Sequence, residues 1–464
     1  ADAVRGSRTG PAALEAPAPP RVVGTLGATL MSVNGMIGAG IFALPALLYA
    51  KTGLFAPWLF LIFGLLFASI TLIAARLATM FRDSGGPQLY AQAAFGPTVG
   101  FQVGWLLVIA LAAGRAATLH VLVSYLGVFF PALDGPIARP VAVLALLAAL
   151  SWLTLSGMRR SIDGLIVGTV LKLTPILVLC IAAFAAGGIS TSFRLPDFGT
   201  FESVALLVYF AFAGASNAAY SAGEVKKPRQ TLPRSMLLSL AIIIVFYMLV
   251  QWAYIAAGAP SSGDGTPLAA AAGAVMGPAG VIALSLAAVF SIACNALAFF
   301  VSGARVIFGM AQRGLLPRSL AHVHARFLTP DWAIALFTLI VAAVALSGKF
   351  AFLAQVTALG SQFVALSLIA AFVRFQLRGA ESTAPGLTPF WWSVVTVATG
   401  FSIYAAMQAT FAAYVLLGVL LVAGSVLAVL TRRGTIVQPV PLASLDMAAE
   451  ILHPHQASLS GPVD

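Results

Sequence analysis

From Val22 to Leu430 the chain is a succession of apolar runs, each near the roughly 20 residues that a helix needs to cross a bilayer's hydrocarbon core. A dozen such runs read as spans, near 22–49, 55–80, 98–130, 140–157, 163–187, 201–224, 234–258, 279–311, 330–347, 352–376, 390–408 and 411–430. Composition argues against the alternative of a soluble protein with buried core helices. Sixty per cent of the 464 residues are hydrophobic, 8% are charged and mean hydropathy is +1.00. A soluble domain carries about 25% charged residues because its surface must face water. Too few polar residues remain here to enclose a dozen buried helices. The expected class is an all-α membrane protein of about 12 spans, with the lipid bilayer as its surroundings.

The net charge of +11 would suggest a nucleic-acid partner if it lay on one soluble surface. Its placement gives another reading. With the N-terminus inside, 19 of the 25 Lys and Arg fall on the inner face, from Arg5 and Arg8 through Arg229, Arg234 and Arg313 to Arg433. Only Lys51, Arg139, Arg194 and Lys349 fall outside, and Arg115 and Lys172 lie within spans. This asymmetry is the positive-inside rule. It predicts a multi-pass inner (plasma) membrane protein with both termini cytoplasmic and no nucleic-acid partner. Residues 1–20 and 434–464 are rich in Ala, Pro, Ser and Gly and are expected to be disordered. The first of these segments lacks an apolar core, so the first span is expected to act as the insertion signal. Cys180 and Cys294 sit in apolar runs, which points to neither a disulfide framework nor a metal site. Short basic loops are expected at 82–92, 223–234 and 314–330, and the loop 258–277 has room for a short helix at 267–275.

Glycine interrupts two of the apolar runs. Span 1 reads Asn34-Gly35-Met36-Ile37-Gly38-Ala39-Gly40-Ile41-Phe42, and span 6 reads Tyr209-Phe210-Ala211-Phe212-Ala213-Gly214-Ala215-Ser216-Asn217. If each break opens a five-helix repeat, the odd number inverts the second copy across the membrane. Paired discontinuous helices point to a central binding site. A packing notch is the alternative for either break taken alone.

These residues resemble the amino acid–polyamine–organocation transporter superfamily, of the bacterial amino acid permease type. Ile37-Gly38-Ala39-Gly40-Ile41-Phe42 with Pro45 is similar to its first-helix signature. Phe210 to Gly214, followed by Gly223-Glu224-Val225-Lys226-Lys227-Pro228-Arg229, is similar to its sixth. Gly303-Ala304-Arg305, Met310-Ala311 and Gly314-Leu315-Leu316-Pro317 resemble its loop between helices 8 and 9. The resemblance implies one transporter domain over 22–430: repeat one at about 22–187, repeat two at about 201–376, and two extra helices at about 390–430. It also implies a small-molecule substrate, an amino acid or analogue. The backbone amides freed at Gly38, Ala39 and Gly40 suit a substrate carboxylate at a positive helix end. The carbonyls freed near Met36, Phe210 and Ala213 suit an ammonium. In the family, helices 1 and 6 hold amine and carboxylate in this way, which makes Ile37, Gly214, Ser216 and Asn217 further candidates. Phe210 matches the family's aromatic gate, and Phe299 matches an aromatic near the substrate.

Lys172 lies mid-span, where a lone charge costs about 3 kcal/mol, so a functional role is the first expectation. It resembles the helix-5 lysine of sodium-independent relatives, whose amine stands where sodium sits in sodium-coupled ones. Proton coupling, or a purely stabilising bond to helix 1, stays open. Arg115 aligns with a helix-3 position that faces substrate in the arginine–agmatine antiporter, where the family residue is small or polar. No Asp or Glu lies mid-span to neutralise it, and Ser216 stands where the family often has Glu. The site therefore reads as cationic, disfavouring cationic amino acids and polyamines. The alternative is an arginine turned toward helix carbonyls. Asn295 and Ser361 offer hydrogen bonds, and His120 lies one to two turns from Arg115. Glu224 with the neighbouring Lys and Arg reads as a gating network or a solvated cluster.

The expected function is sodium-independent secondary transport of amino acids, by proton symport or exchange, with neutral or anionic substrates favoured. A polyamine or organic-anion transporter is the alternative. An intramembrane enzyme is a rival of another class, but no span holds the paired acids, nucleophile–base pair or metal ligands it would need. No cofactor is implied.

Overall fold

A computed structural model describes residues 23–81, 86–156, 162–189, 195–215, 225–258, 265–377 and 388–431. The expectations for residues 1–20, 434–464, Ser216, Asn217 and Glu224 lie outside the described residues. Those that are described form an all-α membrane fold.

The first span is two half-helices, α1 (Thr25–Met36) and α2 (Ala39–Thr52), and α3 (Ala56–Ala78) returns beside them. A short helix α4 (Gly86–Phe95) then leads into α5 (Pro97–Gly127), followed by α6 (Ala138–Leu155) and α7 (Ile162–Gly187). The second half begins with α8 (Phe198–Ala211), then α9 (Pro228–Ala256), α10 (Pro267–Gln312), α11 (Asp331–Ala345) and α12 (Phe350–Leu377). Two further helices, α13 (Pro389–Met407) and α14 (Phe411–Thr431), complete the described residues. By length and apolarity alone, nine stretches of the described residues can cross a membrane, one of them being α2 and α3 together. The twelve expected spans map onto α1–α2, α3, α5, α6, α7, α8 with the segment after it, α9, α10, α11, α12, α13 and α14.

The two halves repeat each other's packing. α5 lies on α12 as α10 lies on α7, and α5 meets α11 as α10 meets α6. α1 packs on α7 as α8 packs on α12, and α1 on α9 as α8 on α3. The pairs α2–α8, α3–α9, α5–α10 and α6–α11 join equivalent members of the two repeats. The five-helix repeat is thus visible as a contact pattern.

Two local features follow from residue chemistry. α10 would be roughly 69 Å long if straight, more than twice a bilayer core. It breaks at Gly277, whose φ of 67° opens the left-handed region, and Pro278 starts the long arm. The short helix expected near 267–275 is the arm before that break. The stretch expected as a basic loop at 82–92 is instead helical from Gly86. Pro87 sits in the first turn, where its missing N–H is harmless, and Gln88 donates to Gln92 at 2.8 Å, one turn on.

Asp197 caps α8: its Oδ2 accepts from the Thr200 amide at 3.1 Å and its Oδ1 from the Thr200 hydroxyl at 2.8 Å. Those bonds hold this exposed carboxyl below its ordinary range. Cys180 and Cys294 are not joined in a disulfide.

Candidate functional site

Two helix breaks meet at the centre of the bundle. α1 ends at Met36, and α2 restarts at Ala39 after Gly38 turns the backbone to φ −136°, ψ −146°. α8 ends at Ala211 and runs into tight turns, with Phe212 N donating to Tyr209 O, Ala213 N to Phe210 O and Ala215 N to Phe212 O. Gly214 there has φ of 112°, and a Cβ on it would lie 2.7 Å from the Gly35 carbonyl carbon and oxygen. Only glycine allows both that conformation and that approach. The two breaks therefore cross backbone to backbone.

A cavity of about 120 Å³ opens beside this crossing. Of the residues singled out in the sequence, Met36, Gly38, Ala39, Gly40, Arg115, Phe210, Ala213, Gly214 and Phe299 line it, as do Asn295 and Ser361. Ile37 and Lys172 do not. Lys172 is buried behind the break, its Nζ donating to Ile37 O at 3.5 Å. Sequence reasoning did not single out Phe67, Tyr90, Gly114, Thr118, Tyr209 and Thr357, which also line the cavity. His120 lies away from it, with Nε2 2.9 Å from Ala345 O.

Every carbonyl from Asn34 to Ile37 has a donor from elsewhere in the protein. Asn295 Nδ2 donates to both Asn34 O and Gly35 O at 3.0 Å. Met36 O accepts from Tyr247 Oη at 2.6 Å and from Gly38 N at 2.9 Å. Both lone pairs of that carbonyl are thereby engaged. Ile37 O faces Lys172, and Asn34 Nδ2 donates to Thr169 Oγ1 at 2.6 Å. Tyr247 also donates to Ala211 O at 3.1 Å, so one hydroxyl joins both breaks. Tyr247 and Gln251, four residues apart on α9, face the first span together, Gln251 donating to Pro45 O at 3.1 Å. A tyrosine and a glutamine at helical spacing inside an apolar run were the available signal for this face.

Arg115 projects from α5 into the cavity and is 7% exposed. Its Nη1 donates to Asn295 O at 3.3 Å and to Asn295 Oδ1 at 3.1 Å, and its guanidinium lies 4.5 Å from the centre of the Phe299 ring. Among the described residues that line the cavity, no carboxylate offsets that charge. The hydroxyls of Thr118, Thr357 and Ser361, which line the cavity, donate to carbonyls one turn back in their own helices.

The cavity extends away from the crossing in one direction. Its lining runs along α3, α5 and α12 through Ile70, Ala74, Leu107, Ala110, Val364 and Leu368, toward the face where α1 begins. At the opposite end, Phe210 meets Phe350 edge-on with centroids 5.7 Å apart. Tyr125 donates to Phe42 O at 2.9 Å and packs edge-on against the Phe42 ring.

The sequence profile of the amino acid permease family matches residues 23–431, which contain both breaks, the cavity and the paired repeats. The chain belongs to the amino acid permease family. This permease is a membrane transporter of the amino acid–polyamine–organocation superfamily. It is 33% identical over 350 residues to an uncharacterized transporter of Mycobacterium tuberculosis, covering 70% of this chain and 73% of that one. It is 31% identical over 265 residues to the cadaverine/lysine antiporter of Escherichia coli, covering 55% of this chain and 59% of the antiporter. The permease spans less than two thirds of that antiporter's length in the match.

Proposed function

We propose that this permease is a sodium-independent secondary transporter of amino acids, a proton symporter or an exchanger, which favours neutral or anionic substrates over cationic ones. One observation carries the reading: the cavity between the two breaks holds a buried Arg115, and no acid is among its described lining residues. A cation entering it would meet the guanidinium at close range in a low-dielectric site, where like charges repel strongly. The amides at the start of α2 and Arg115 are both suited to a carboxylate.

Lys172 supports sodium independence. Its ammonium occupies the space beside Ile37 O behind the break and brings a positive charge where a coupling ion would need carbonyl ligands. Transport proceeds by alternating access: α1–α2, α3, α8 and α9 pack as one group and rock against the frame of α5, α7, α10 and α12. With the basic face in the cytoplasm, as charge placement favours, the cavity faces inward, and the Phe210–Phe350 pair forms part of the outer closure.

A polyamine substrate is the second reading, favoured by the printed activity of the Escherichia coli relative. It would need acids to receive two ammonium groups. The test is uptake into proteoliposomes of labelled neutral, acidic and basic amino acids and cadaverine, with sodium and pH gradients varied independently. Saturable uptake of neutral or acidic substrates without sodium is the expected result. Preferred uptake of cadaverine would establish the second reading, and preferred uptake of arginine would overturn the charge preference.

A further inference from the structure

Arg115 is a buried cation with donors to spare. A guanidinium carries five N–H bonds, and here only Nη1 has a hydrogen-bond partner among the described residues. Nε and Nη2 form one edge of the planar fork, the edge suited to a carboxylate. Phe299 backs the guanidinium face at 4.5 Å and fixes its plane. A charge desolvated to this extent is costly unless an anion meets it.

A second anion position lies in the same cavity. The first N–H groups of a helix have no acceptor within it, and Ala39 and Gly40 at the start of α2 both line the cavity. The Gly38 amide is already taken by Met36 O. Asn295 sets the spacing between the two positions. Its Nδ2 is held by two carbonyls of α1, which fixes its Oδ1 on Arg115 Nη1 at 3.1 Å. The same Oδ1 lies 2.7 Å from where a Gly38 Cβ would stand. Arg115 Nη1 is thus within about 7 Å of the Gly38 Cα that precedes α2, a gap that a side chain of one or two methylene groups and a carboxylate bridges.

We propose that the substrate carries two carboxylates, with its α-carboxylate on the amides of Ala39 and Gly40 and its side-chain carboxylate on Arg115. The class is an acidic amino acid. Asn295 serves as the spacer that keeps the two anion positions apart. This inference rests on the reading of the cavity as an amino acid site, and it narrows that reading to one charge class.

The experiment compares each acid with its own amide, which has nearly the same shape and no side-chain charge. Binding of L-glutamate, L-aspartate, L-glutamine and L-asparagine to the purified full-length protein is measured by calorimetry, and exchange of the same four is measured in proteoliposomes. The acids are expected to bind at least about tenfold more tightly than the amides. Arg115→Gln is expected to bring that ratio to about one, chiefly through loss of acid binding. Phe299→Leu is expected to weaken acid binding by a smaller factor. Amides binding as tightly as acids to the wild type would overturn the two-carboxylate substrate and leave the amino acid reading standing, even if Arg115→Gln does not fold. An acid preference that survives in Arg115→Gln would overturn the role of Arg115. Failure of any amino acid, acidic or neutral, to bind or exchange would overturn the site reading with it.

Discussion

The two broken helices solve the same problem by different means. Between α1 and α2, the carbonyls from Asn34 to Ile37 accept from Asn295, Tyr247 and Lys172, side chains on three other helices. After α8, the carbonyls of Tyr209, Phe210 and Phe212 accept from amides three residues on, within the same segment. Among the described residues, Tyr247 straps Ala211 O there. The first break is pinned to other helices, whereas the described turn at 212–215 is bonded mainly within its own segment. Pinned groups resist motion unless their partners move too, and Lys172 and Asn295 sit on the frame helices α7 and α10. A self-satisfied turn costs fewer lost bonds when it rearranges. On this basis the described turn at 212–215 is expected to rearrange more readily during transport than the first break, whose bonds to Lys172 and Asn295 have to be exchanged as the α1–α2 group rocks.

The largest expected effect comes from removing the pin. Asn295→Ala leaves two carbonyls short of a donor and Arg115 without its side-chain acceptor. The expected loss is about 2–4 kcal/mol of stability, with substrate binding abolished; thermal unfolding and calorimetry in detergent check both. Binding at near wild-type affinity would mean that Asn295 does not hold the first break in its substrate-binding geometry. Gly214→Ala ranks next, since its Cβ would press on the Gly35 backbone in a left-handed conformation. Transport should fall by an order of magnitude or more, because the two breaks could no longer cross at this distance beside the cavity.

Tyr247→Phe removes one hydroxyl from Met36 O and Ala211 O, with an expected cost of about 1–2 kcal/mol in Tm measurements. If it left stability unchanged while accelerating exchange, the link between the breaks would be a brake rather than a support. The smallest effect is at the far end of α8. Asp197→Asn should lower Tm by less than Tyr247→Phe at neutral pH. The folded carboxyl has its proton affinity depressed by Thr200, so its contribution is present above the unfolded carboxylate value of about 3.9. It is lost as pH falls through the lower folded value, and the wild type and variant should converge there.

Much of this was legible in the sequence. The apolar runs set the spans, and the glycines at 38, 40 and 214 marked both breaks. Arg115, Phe210 and Phe299 were singled out and do line one cavity. The straps were not legible, since Tyr247 lies 211 residues from Met36 and Asn295 lies 261 from Asn34. Spacing within one helix cannot say which distant backbone a polar side chain will meet. α4 was hidden for another reason: Gly86 and Pro87 are common turn residues, yet they start a helix whose glutamines are buried. The carbonyls near Met36, Phe210 and Ala213 read as suited to an ammonium; the structure adds that Met36 O accepts from Tyr247 and Gly38, and Phe210 O from Ala213, which the sequence could not show.

The most direct measurement is competition against a transported neutral or acidic amino acid in proteoliposomes made without sodium, using cadaverine and arginine as competitors. The account predicts saturable uptake that neither cation reduces, and that Lys172→Met abolishes without creating a sodium requirement. Strong inhibition by cadaverine, or uptake that appears only with sodium, would contradict it.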